Sequence, residues 1–435
     1  MLAAPFCSFF QFQNFLQIML DCPVTVRFIL SAKKPNHEGE NDMRKKRLLW
    51  ILVAVLAVIM VFWMFFGKRI KILYTSLNSF KDENLAYTFQ HTPEIQPTKK
   101  ISKGDETFRF QKEDNITLAE GFTFEDILYS TEEFIEDTQT SGLLVIQDDV
   151  IKYENYFFEG DENTLFSSNS MGKSFVSALM GIAVSEGDVD SVEDPVGKYI
   201  PEFAGTELEN IPIRACLQMA SGIDFDEDTD MSGFSMRTLM GVPAMKVISK
   251  YGMQEEPYTY RRYLSINTEI LGEVITNATW YSLAEYMEKK LWKKLDTAHD
   301  AYWTLSNGTE LAMGGLSVSL RDYARFARLY LNEGNYNGEQ ILPKEWVRDS
   351  LDVSAEYSKP GANQDAYNVI GYGYQWWVPE GEEGEFMAIG VYGQWIYVNP
   401  SKQVIIVKTS ADPDFMEKDY EVKHVEFFRA VAGGL

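Results

Sequence analysis

Cysteine and histidine are scarce in this sequence, and their scarcity excludes several kinds of site. The 435 residues include three cysteines, Cys7, Cys22 and Cys216, and four scattered histidines. Only Cys216 falls in the part expected to be globular, so an internal disulfide framework is excluded there. Neither C-x-x-C nor H-E-x-x-H occurs, and no metal-ligand spacing relates the histidines. We therefore expect neither a metal nor any other cofactor.

Positive charge is scarce relative to negative charge. Lys and Arg number 40 against 64 Asp and Glu, which gives a formal net charge of −24. Such a surface repels phosphate backbones, so no nucleic-acid partner is expected. The low Gly and Pro counts argue against a disordered or fibrous protein. With 45% hydrophobic residues, the chain can bury a large core in one big domain or two close ones.

One long apolar run, Leu48 to Phe66, predicts a membrane anchor. As a helix it would span roughly 28 Å, close to the thickness of a hydrocarbon core. Trp50 and Trp63 lie near its ends, as interfacial anchors do. Basic residues are slightly more numerous before the run than after it. We predict that residues 43–73 form a signal anchor in a bacterial inner membrane, with the C-terminal part on the external or periplasmic side. A cleaved signal peptide, which would release a secreted domain, is the alternative, but the run is long and lacks a small-x-small cleavage site.

The segments on either side of this anchor have a different composition. Residues 1–42 have neither a helical period nor the composition of a linker. The sequence from Met43, MRKKR, is a natural start for a signal anchor, and the preceding HEGEND can be encoded by a purine-rich run resembling a bacterial ribosome-binding site. We predict that translation starts at Met43 and that residues 1–42 are a misassigned extension; a detected peptide upstream of Met43 would refute this. Residues 74–102, polar and containing Pro93 and Pro97, are predicted to be a spacer that begins to pack onto the domain.

Strand patterns lie near both ends of the remaining sequence, residues 103–435. Ser141–Phe158 is typical of a hairpin with an Asp-Asp turn, and Phe386–Ser410 of two strands joined by an Asn-Pro turn. Helical patterns cover Ser170–Glu186, Ser282–Leu295, Leu320–Gly334 and Phe415–Ala432. This order predicts an α+β domain whose antiparallel sheet is assembled from both ends, with flanking helices and an inserted helical subdomain.

The segment FSSNSMGKSFVSAL, residues 166–179, combines a serine and a lysine with the start of a buried helix. Ser170 and Lys173 are three residues apart, so a helix would place them on one face. The positive end of a helix favours an alkoxide-like nucleophile and an adjacent oxyanion. A lysine near the apolar interior loses solvation and can accept a proton. Ser-x-x-Lys occurs by chance in many proteins, so the flanking sequence decides its meaning.

That flanking sequence resembles the serine β-lactamase and penicillin-binding-protein superfamily. Residues 165–202, LFSSNSMGKSFVSALMGIAVSEGDVDSVEDPVGKYIPE, are similar to its nucleophile helix, in particular to the class C-related branch of carboxylesterases and 6-aminohexanoate-oligomer hydrolases. CLQMASGIDFDED and AMGGLSVSLRDYARFARLYLNEG resemble later segments in the same order. The resemblance runs from about Asn78 to the C-terminus. It implies the β-lactamase/penicillin-binding-protein-like fold and a catalytic Ser170 with Lys173.

The resemblance also implies a catalytic tyrosine. Tyr263-Leu-Ser265-Ile-Asn267 is similar to the Tyr-x-Ser-x-(Asn/Asp) form of the amide-hydrolase branch. Tyr263 would then move protons to and from Ser170 and the leaving group, with Lys173 sharing its proton. Ser265 would bond Lys173 or substrate, and Asn267 would belong to the same binding set. Tyr258 and Tyr260 are rival bases, but neither has the Ser-x-Asn continuation, and all these tyrosines could instead be packing aromatics.

A third segment of the family lines the site with Lys-Thr-Gly, and here Val391-Tyr392-Gly393 stands in its place. Gly393 would keep the strand open to substrate, and the amide of Gln394 would pair with that of Ser170 as an oxyanion hole. Without the lysine, recognition of a β-lactam carboxylate loses about 1.5–3 kcal/mol. Aromatic residues either wall the cleft or belong to the core: Trp376, Trp377, Tyr392 and Trp395.

The resemblance therefore implies a serine hydrolase that cleaves a small or peptide-like amide or ester through an acyl-enzyme. No glutamate of the class A deacylating type is evident, so the Tyr263–Lys173 pair would also activate water. A D,D-peptidase or β-lactamase, which the missing lysine disfavours, and a non-catalytic sensor of the same fold are the alternatives. A Ser-His-Asp hydrolase is disfavoured because the sequence has no Gly-x-Ser-x-Gly elbow.

Overall fold

The computed structural model describes residues 37–362 and 369–435. The chain divides into two compact units, residues 1–72 and residues 73–435. Helix α1, His37–Ser79, is 43 residues long. Its 18-residue window Arg47–Met64 has a mean hydropathy of 2.5 and is wholly exposed. By length and composition this helix can cross a membrane, although a signal sequence meets the same criterion. Of the predicted extension, residues 1–36 lie outside the described residues, and residues 37–42 begin α1.

The second unit is an α+β structure. Its further helices are α2 Leu85–Ile95, α3 Thr131–Asp137, α4 Gly172–Glu186, α5 Ile213–Leu217, α6 Glu227–Leu239, α7 Ala244–Ile248, α8 Ser265–Thr279, α9 Leu283–Lys290, α10 Leu320–Leu331, α11 Lys344–Leu351 and α12 Tyr420–Gly433. Its strands are β1 Thr98–Ile101, β2 Gln111–Lys112, β3 Gly121–Phe124, β4 Ile127–Ser130, β5 Thr140–Gln147, β6 Val150–Tyr156, β7 Phe166–Ser167, β8 Ala301–Ser306, β9 Thr309–Glu310, β10 Leu316–Val318, β11 Asn335–Tyr336, β12 Glu339–Gln340, β13 Gly371–Tyr372, β14 Trp377–Val378, β15 Phe386–Gly390, β16 Gln394–Asn399 and β17 Val404–Ser410.

The main sheet has eight strands in the order β13-β14-β15-β16-β17-β5-β6-β2. β17 from the end of the chain pairs antiparallel with β5, for example Ile406 with Val145, so the predicted assembly from both ends is confirmed. Asp148 and Asp149 form the predicted turn between β5 and β6, and both have positive φ, as a tight hairpin turn requires. The short strand β2 departs from the pattern, because it pairs parallel with β6.

The predicted two-strand pattern of residues 386–410 folds as three strands. β15 and β16 pair from Phe386 with Val398 to Gly390 with Gln394, so the chain reverses at residues 391–393. Tyr392 and Gly393 both have positive φ in that turn. A tyrosine gives no sequence signal for such a conformation, which is why the prediction missed the turn.

The segment predicted as a spacer is largely folded into the second unit. Helix α2 buries Leu85 and Phe89, and β1 pairs with β8 of a five-stranded sheet. The helical pattern is hard to recognise because Pro93 lies inside α2 and His91 has non-helical dihedrals. The folded unit therefore begins before residue 103, which is the start that the sequence predicted.

A buried lysine lies on β17, opposite Trp395 of β16. The Lys408 ammonium donates to the Ser410 Oγ at 2.6 Å and lies 3.4 Å from the His424 Nε2. Burial lowers the pKa of Lys408 to about 7, against the opposing charge of Asp412. This lysine has no contact with the catalytic set described below and provides a control for it.

Candidate active site

Ser170 lies in a single 3₁₀ turn, Asn169–Met171, immediately before α4. Asn169 has positive φ, and its side-chain amide donates to the carbonyl of Val391 at 2.9 Å. The predicted helix 170–186 therefore begins two residues later than expected, with the serine at its entrance. Among the described residues, the Ser170 amide donates to no other group. Ser170 is half-buried, so its hydroxyl and amide can both face a bound substrate.

Lys173 directs its ammonium at this serine. The Nζ donates to the Ser170 Oγ at 2.7 Å and to the carbonyl oxygen of Met313 at 2.6 Å. The residue is 2% exposed and stands on the first turn of α4, which is buried almost throughout. The expectation that the spacing brings serine and lysine together is met in the geometry. A deprotonated Lys173 would be within reach of the serine proton.

Tyr263 is the tyrosine that meets this pair. The Lys173 Nζ lies 5.1 Å from the centroid of its ring, whereas Tyr258 packs on Tyr357 and Tyr260 faces Arg262. The ring stacks on Trp377 at 5.5 Å. Within the described residues its hydroxyl makes no hydrogen bond to Ser170 or Lys173, so the transfer of protons by Tyr263 stays a prediction.

Ser265 and Asn267 both lie in the first turn of α8, and each contacts a different segment. The Ser265 amide donates to the Glu227 Oε2 at 2.8 Å. Burial raises the pKa of Glu227, opposed by Lys173 and Ser265, so this carboxyl lies in the electrostatic reach of the catalytic lysine. Asn267 is 0% exposed, and its amide donates to the sulfur of Met219. Asn267 therefore lies in the packed interior, and its membership of the substrate-binding set stays a prediction.

The glycine that approaches the nucleophile is Gly390 and not Gly393. A Cβ on Gly390 would lie 3.0 Å from the Ser170 nitrogen and 2.5 Å from the Ser168 carbonyl oxygen. A Cβ on Gly393 would instead meet the Tyr420 hydroxyl at 2.7 Å and the Ser410 Cβ at 2.9 Å. The space beside Gly393 is filled by Tyr420 and Ser410, so Gly390 replaces Gly393 as the candidate glycine beside the substrate, and that role stays a prediction.

This shift also changes the candidate for the second oxyanion donor. Val391 directly follows Gly390, and its amide donates to no group among the described residues. The Gln394 side chain points inward and supports the turn, with its Nε2 2.7 Å from the Ser410 carbonyl and 3.0 Å from that of Tyr392. The geometry favours the Val391 amide over that of Gln394. Sequence reasoning missed it because the turn at 391–393 was not recognised.

The four candidate cleft aromatics separate into two groups. Trp376 and Trp395 are fully buried, the first between Phe326 and Phe386 and the second against His424, so both are core residues. Trp377 is half-buried against Tyr263 and stays a cleft candidate. Tyr392 packs on Phe89 and Phe415, so its ring contacts α2 and the segment before α12.

Two carboxyl groups near Lys173 were missed by sequence reasoning, Glu227 and Glu269. Glu227 belongs to an acidic run, DFDEDTD, that is typical of a solvated surface. Glu269 lies among apolar residues of α8. A single glutamate in such a helix gives little indication in the sequence that its carboxyl group is buried near Lys173. For metals, the described residues contain no group of three or more His, Cys, Asp or Glu that could hold an ion.

Replacing Tyr263 with phenylalanine is expected to lower kcat about 100-fold while leaving the fold intact. The ring keeps its contacts with Trp377 and Lys173, so only the hydroxyl is lost, and general acid–base catalysis contributes about 10²–10⁴-fold. Steady-state kinetics on an ester substrate measures the effect. Tyr258→Phe is the matched control, and an equal loss in both variants would contradict a specific role for Tyr263.

Comparison with known proteins agrees with this geometry. A family profile described as Beta-lactamase matches residues 131–426. The 6-aminohexanoate-dimer hydrolase of Paenarthrobacter ureafaciens is 29% identical over 348 residues, 75% of this chain and 86% of that protein. A solved 6-aminohexanoate-dimer hydrolase homologue from Bacillus anthracis has a TM-score of 0.73 at 24% identity, over 82% of this chain and 95% of its own. A class C beta-lactamase has a TM-score of 0.51 at 17% identity, over 70% and 94%. These two structures show the shared fold.

Proposed function

Because this chain belongs to the beta-lactamase family and its Paenarthrobacter relative is named as a hydrolase, we propose that it cleaves an amide or carboxylic ester bond through an acyl-enzyme on Ser170. The observation that carries the proposal is the 2.7 Å contact between the Lys173 Nζ and the Ser170 Oγ. A serine hydroxyl becomes a useful nucleophile only when an adjacent base takes its proton. Lys173 is that base, with Tyr263 assisting.

The reaction then follows two similar steps. Ser170 attacks the carbonyl carbon, and the carbonyl oxygen becomes an oxyanion between the amides of Ser170 and Val391. Tyr263 and Lys173 return the proton to the leaving amine or alcohol, which departs and leaves the acyl group on Ser170. The same pair removes a proton from water, whose attack on the ester releases the acid and restores the serine.

A linear amide or ester is the substrate class that best fits this site. The strand beside Ser170, β15, reads FMAIG and carries no cation, and the turn after it, Val391–Gly393, carries none either. A β-lactam carboxylate would therefore lack the charged partner expected from Lys-Thr-Gly. The name of the Paenarthrobacter relative, 6-aminohexanoate-dimer hydrolase, supports the same class.

The place of action that we propose is the outer face of a bacterial inner membrane. Helix α1 has the length and composition to cross a bilayer once. Basic residues at Arg44–Arg47 precede the apolar window and favour an inside N-terminus. The catalytic unit would then meet its substrate outside the cytoplasm. Protease accessibility of residues 73–435 on intact spheroplasts tests this orientation.

A fluorophosphonate probe tests the proposed chemistry on the full-length protein in detergent. We expect peptide mapping to find the label on Ser170, p-nitrophenyl esters and short linear amides to be hydrolysed, and nitrocefin to stay intact. Labelling with rapid nitrocefin turnover would assign a β-lactamase instead. Absence of labelling in folded protein would overturn the acyl-enzyme and favour a non-catalytic sensor.

A further inference from the structure

A hydrogen-bonded path connects the carboxyl group of Glu269 to the nucleophile. The Met313 amide donates to the Glu269 Oε1 at 3.0 Å. The Met313 carbonyl accepts from the Lys173 Nζ at 2.6 Å, and the same Nζ donates to the Ser170 Oγ at 2.7 Å. Met313 therefore links the buried carboxyl group to the catalytic lysine. A displacement of Met313 would also move the carbonyl oxygen that accepts from the Lys173 Nζ.

Met313 is held tightly on both sides. A Cβ on Gly272, one turn beyond Glu269 on α8, would be only 2.5 Å from the Cβ of Ala312. A Cβ on Gly314 would be 2.7 Å from the carbonyl oxygen of Asn169, in the nucleophile turn. Close packing of this kind transmits small displacements. Helix α8, the segment 312–314 and the nucleophile turn thus form one packed contact.

Glu269 also acts on Lys173 through its charge. It is 7% exposed and forms no salt bridge among the described residues. Glu269 interacts electrostatically with Lys173 on α4 and with Glu273 on α8 itself. Glu227, at the start of α6, interacts electrostatically with Lys173. Burial raises the pKa of Glu269 to about 7, opposed by the Met313 amide and by Lys173. Above neutral pH it is a carboxylate that faces the catalytic ammonium.

We propose that Glu269 is a positioning residue: its bond to the Met313 amide holds the Met313 carbonyl that accepts from Lys173, and so keeps the Lys173 Nζ against the Ser170 Oγ. This inference rests on the proposed function, in which Lys173 receives the Ser170 proton.

The variant Glu269→Gln separates charge from position, because its amide oxygen can still accept from Met313. We expect kcat for ester hydrolysis to stay within about threefold of the wild type, because the acceptor for the Met313 amide is retained. Glu273→Gln, on the same helix and bonded to Asn277, is the matched control, with kcat expected in the same range. A loss of about tenfold or more in Glu269→Gln alone would overturn the positioning role of the bond to Met313.

The variant Glu269→Asp tests position with the charge retained. We expect KM to change little and kcat to fall about tenfold, since the misplacement of a catalytic group can cost this much. An unchanged kcat would overturn the positioning role, and this variant remains informative if the glutamine variant does not fold. Fluorophosphonate labelling of Ser170 in the wild type distinguishes the two proposals, because without it the proposed function fails first.

Discussion

Replacing Ser170 with alanine is expected to lower kcat by at least about 10³-fold and to abolish fluorophosphonate labelling. Removal of a nucleophile leaves only the stabilisation that binding and the oxyanion donors supply, and losses in serine hydrolases reach about 10⁶-fold. The substitution takes away one hydroxyl of a half-buried residue, so the fold and its thermal midpoint should change little. Hydrolysis of a p-nitrophenyl ester by the purified full-length protein measures the effect.

Ser174→Ala is the matched control for this substitution. Ser174 stands one turn further along α4, and its hydroxyl donates to the Gln375 carbonyl at 2.7 Å, away from Lys173. Loss of that bond should cost about 1 kcal/mol of stability with turnover preserved. A Ser170→Ala protein with wild-type activity would end the acyl-enzyme proposal.

Replacing Lys173 with methionine is expected to lower kcat about 10³-fold and to slow labelling of Ser170 by a similar factor. Methionine has nearly the same length and keeps the packing on α4, but it cannot take the serine proton. It also leaves the carbonyl of Met313 without its donor. The rate of fluorophosphonate labelling isolates the first chemical step, so it shows whether the lysine activates the nucleophile or acts only in deacylation.

The second buried lysine provides the control. Lys408→Met removes an ammonium of similar burial from β17, where the partners are Ser410 and His424. We expect kcat to stay within about fivefold of the wild type, because this substitution should change the activation free energy by less than about 1 kcal/mol. If both methionine variants lost activity equally, buried charge in general and not the Lys173–Ser170 contact would explain the loss.

Much of the candidate site could be predicted because its signals are local. Ser170, in the 3₁₀ turn, and Lys173, in the first turn of α4, are three residues apart. Consecutive helical turns bring such a pair together whatever surrounds them. The Asp-Asp hairpin and the joining of β17 to β5 followed from turn residues and from strand patterns at both ends of the chain. The family resemblance added Tyr263, and the ring contact with Lys173 at 5.1 Å agrees with it.

The misplaced residues were those whose role depends on contacts between distant segments. Gly393 and Gln394 were assigned to the oxyanion hole because the sequence does not show where the strand reverses, and the reversal makes Gly390 the neighbour of Ser170. The sequence gives no basis for separating the three tryptophans Trp376, Trp377 and Trp395. Their burial in the structure identifies the first and the last as core residues and leaves Trp377 as the cleft candidate. Asn267 follows a motif that suggests substrate binding, but the packing of α8 turns it inward.

By itself, the sequence determined the class of the domain, the apolar helix before it and the serine–lysine pair, because each depends on residues close together along the chain. The tertiary structure alone decided which glycine lies beside Ser170, which amide near it has no acceptor among the described residues and which carboxyl groups lie near Lys173. Those outcomes depend on which atoms from separate segments lie within a few ångströms of each other, and electrostatic and steric effects at that range follow distance in space and not separation in sequence.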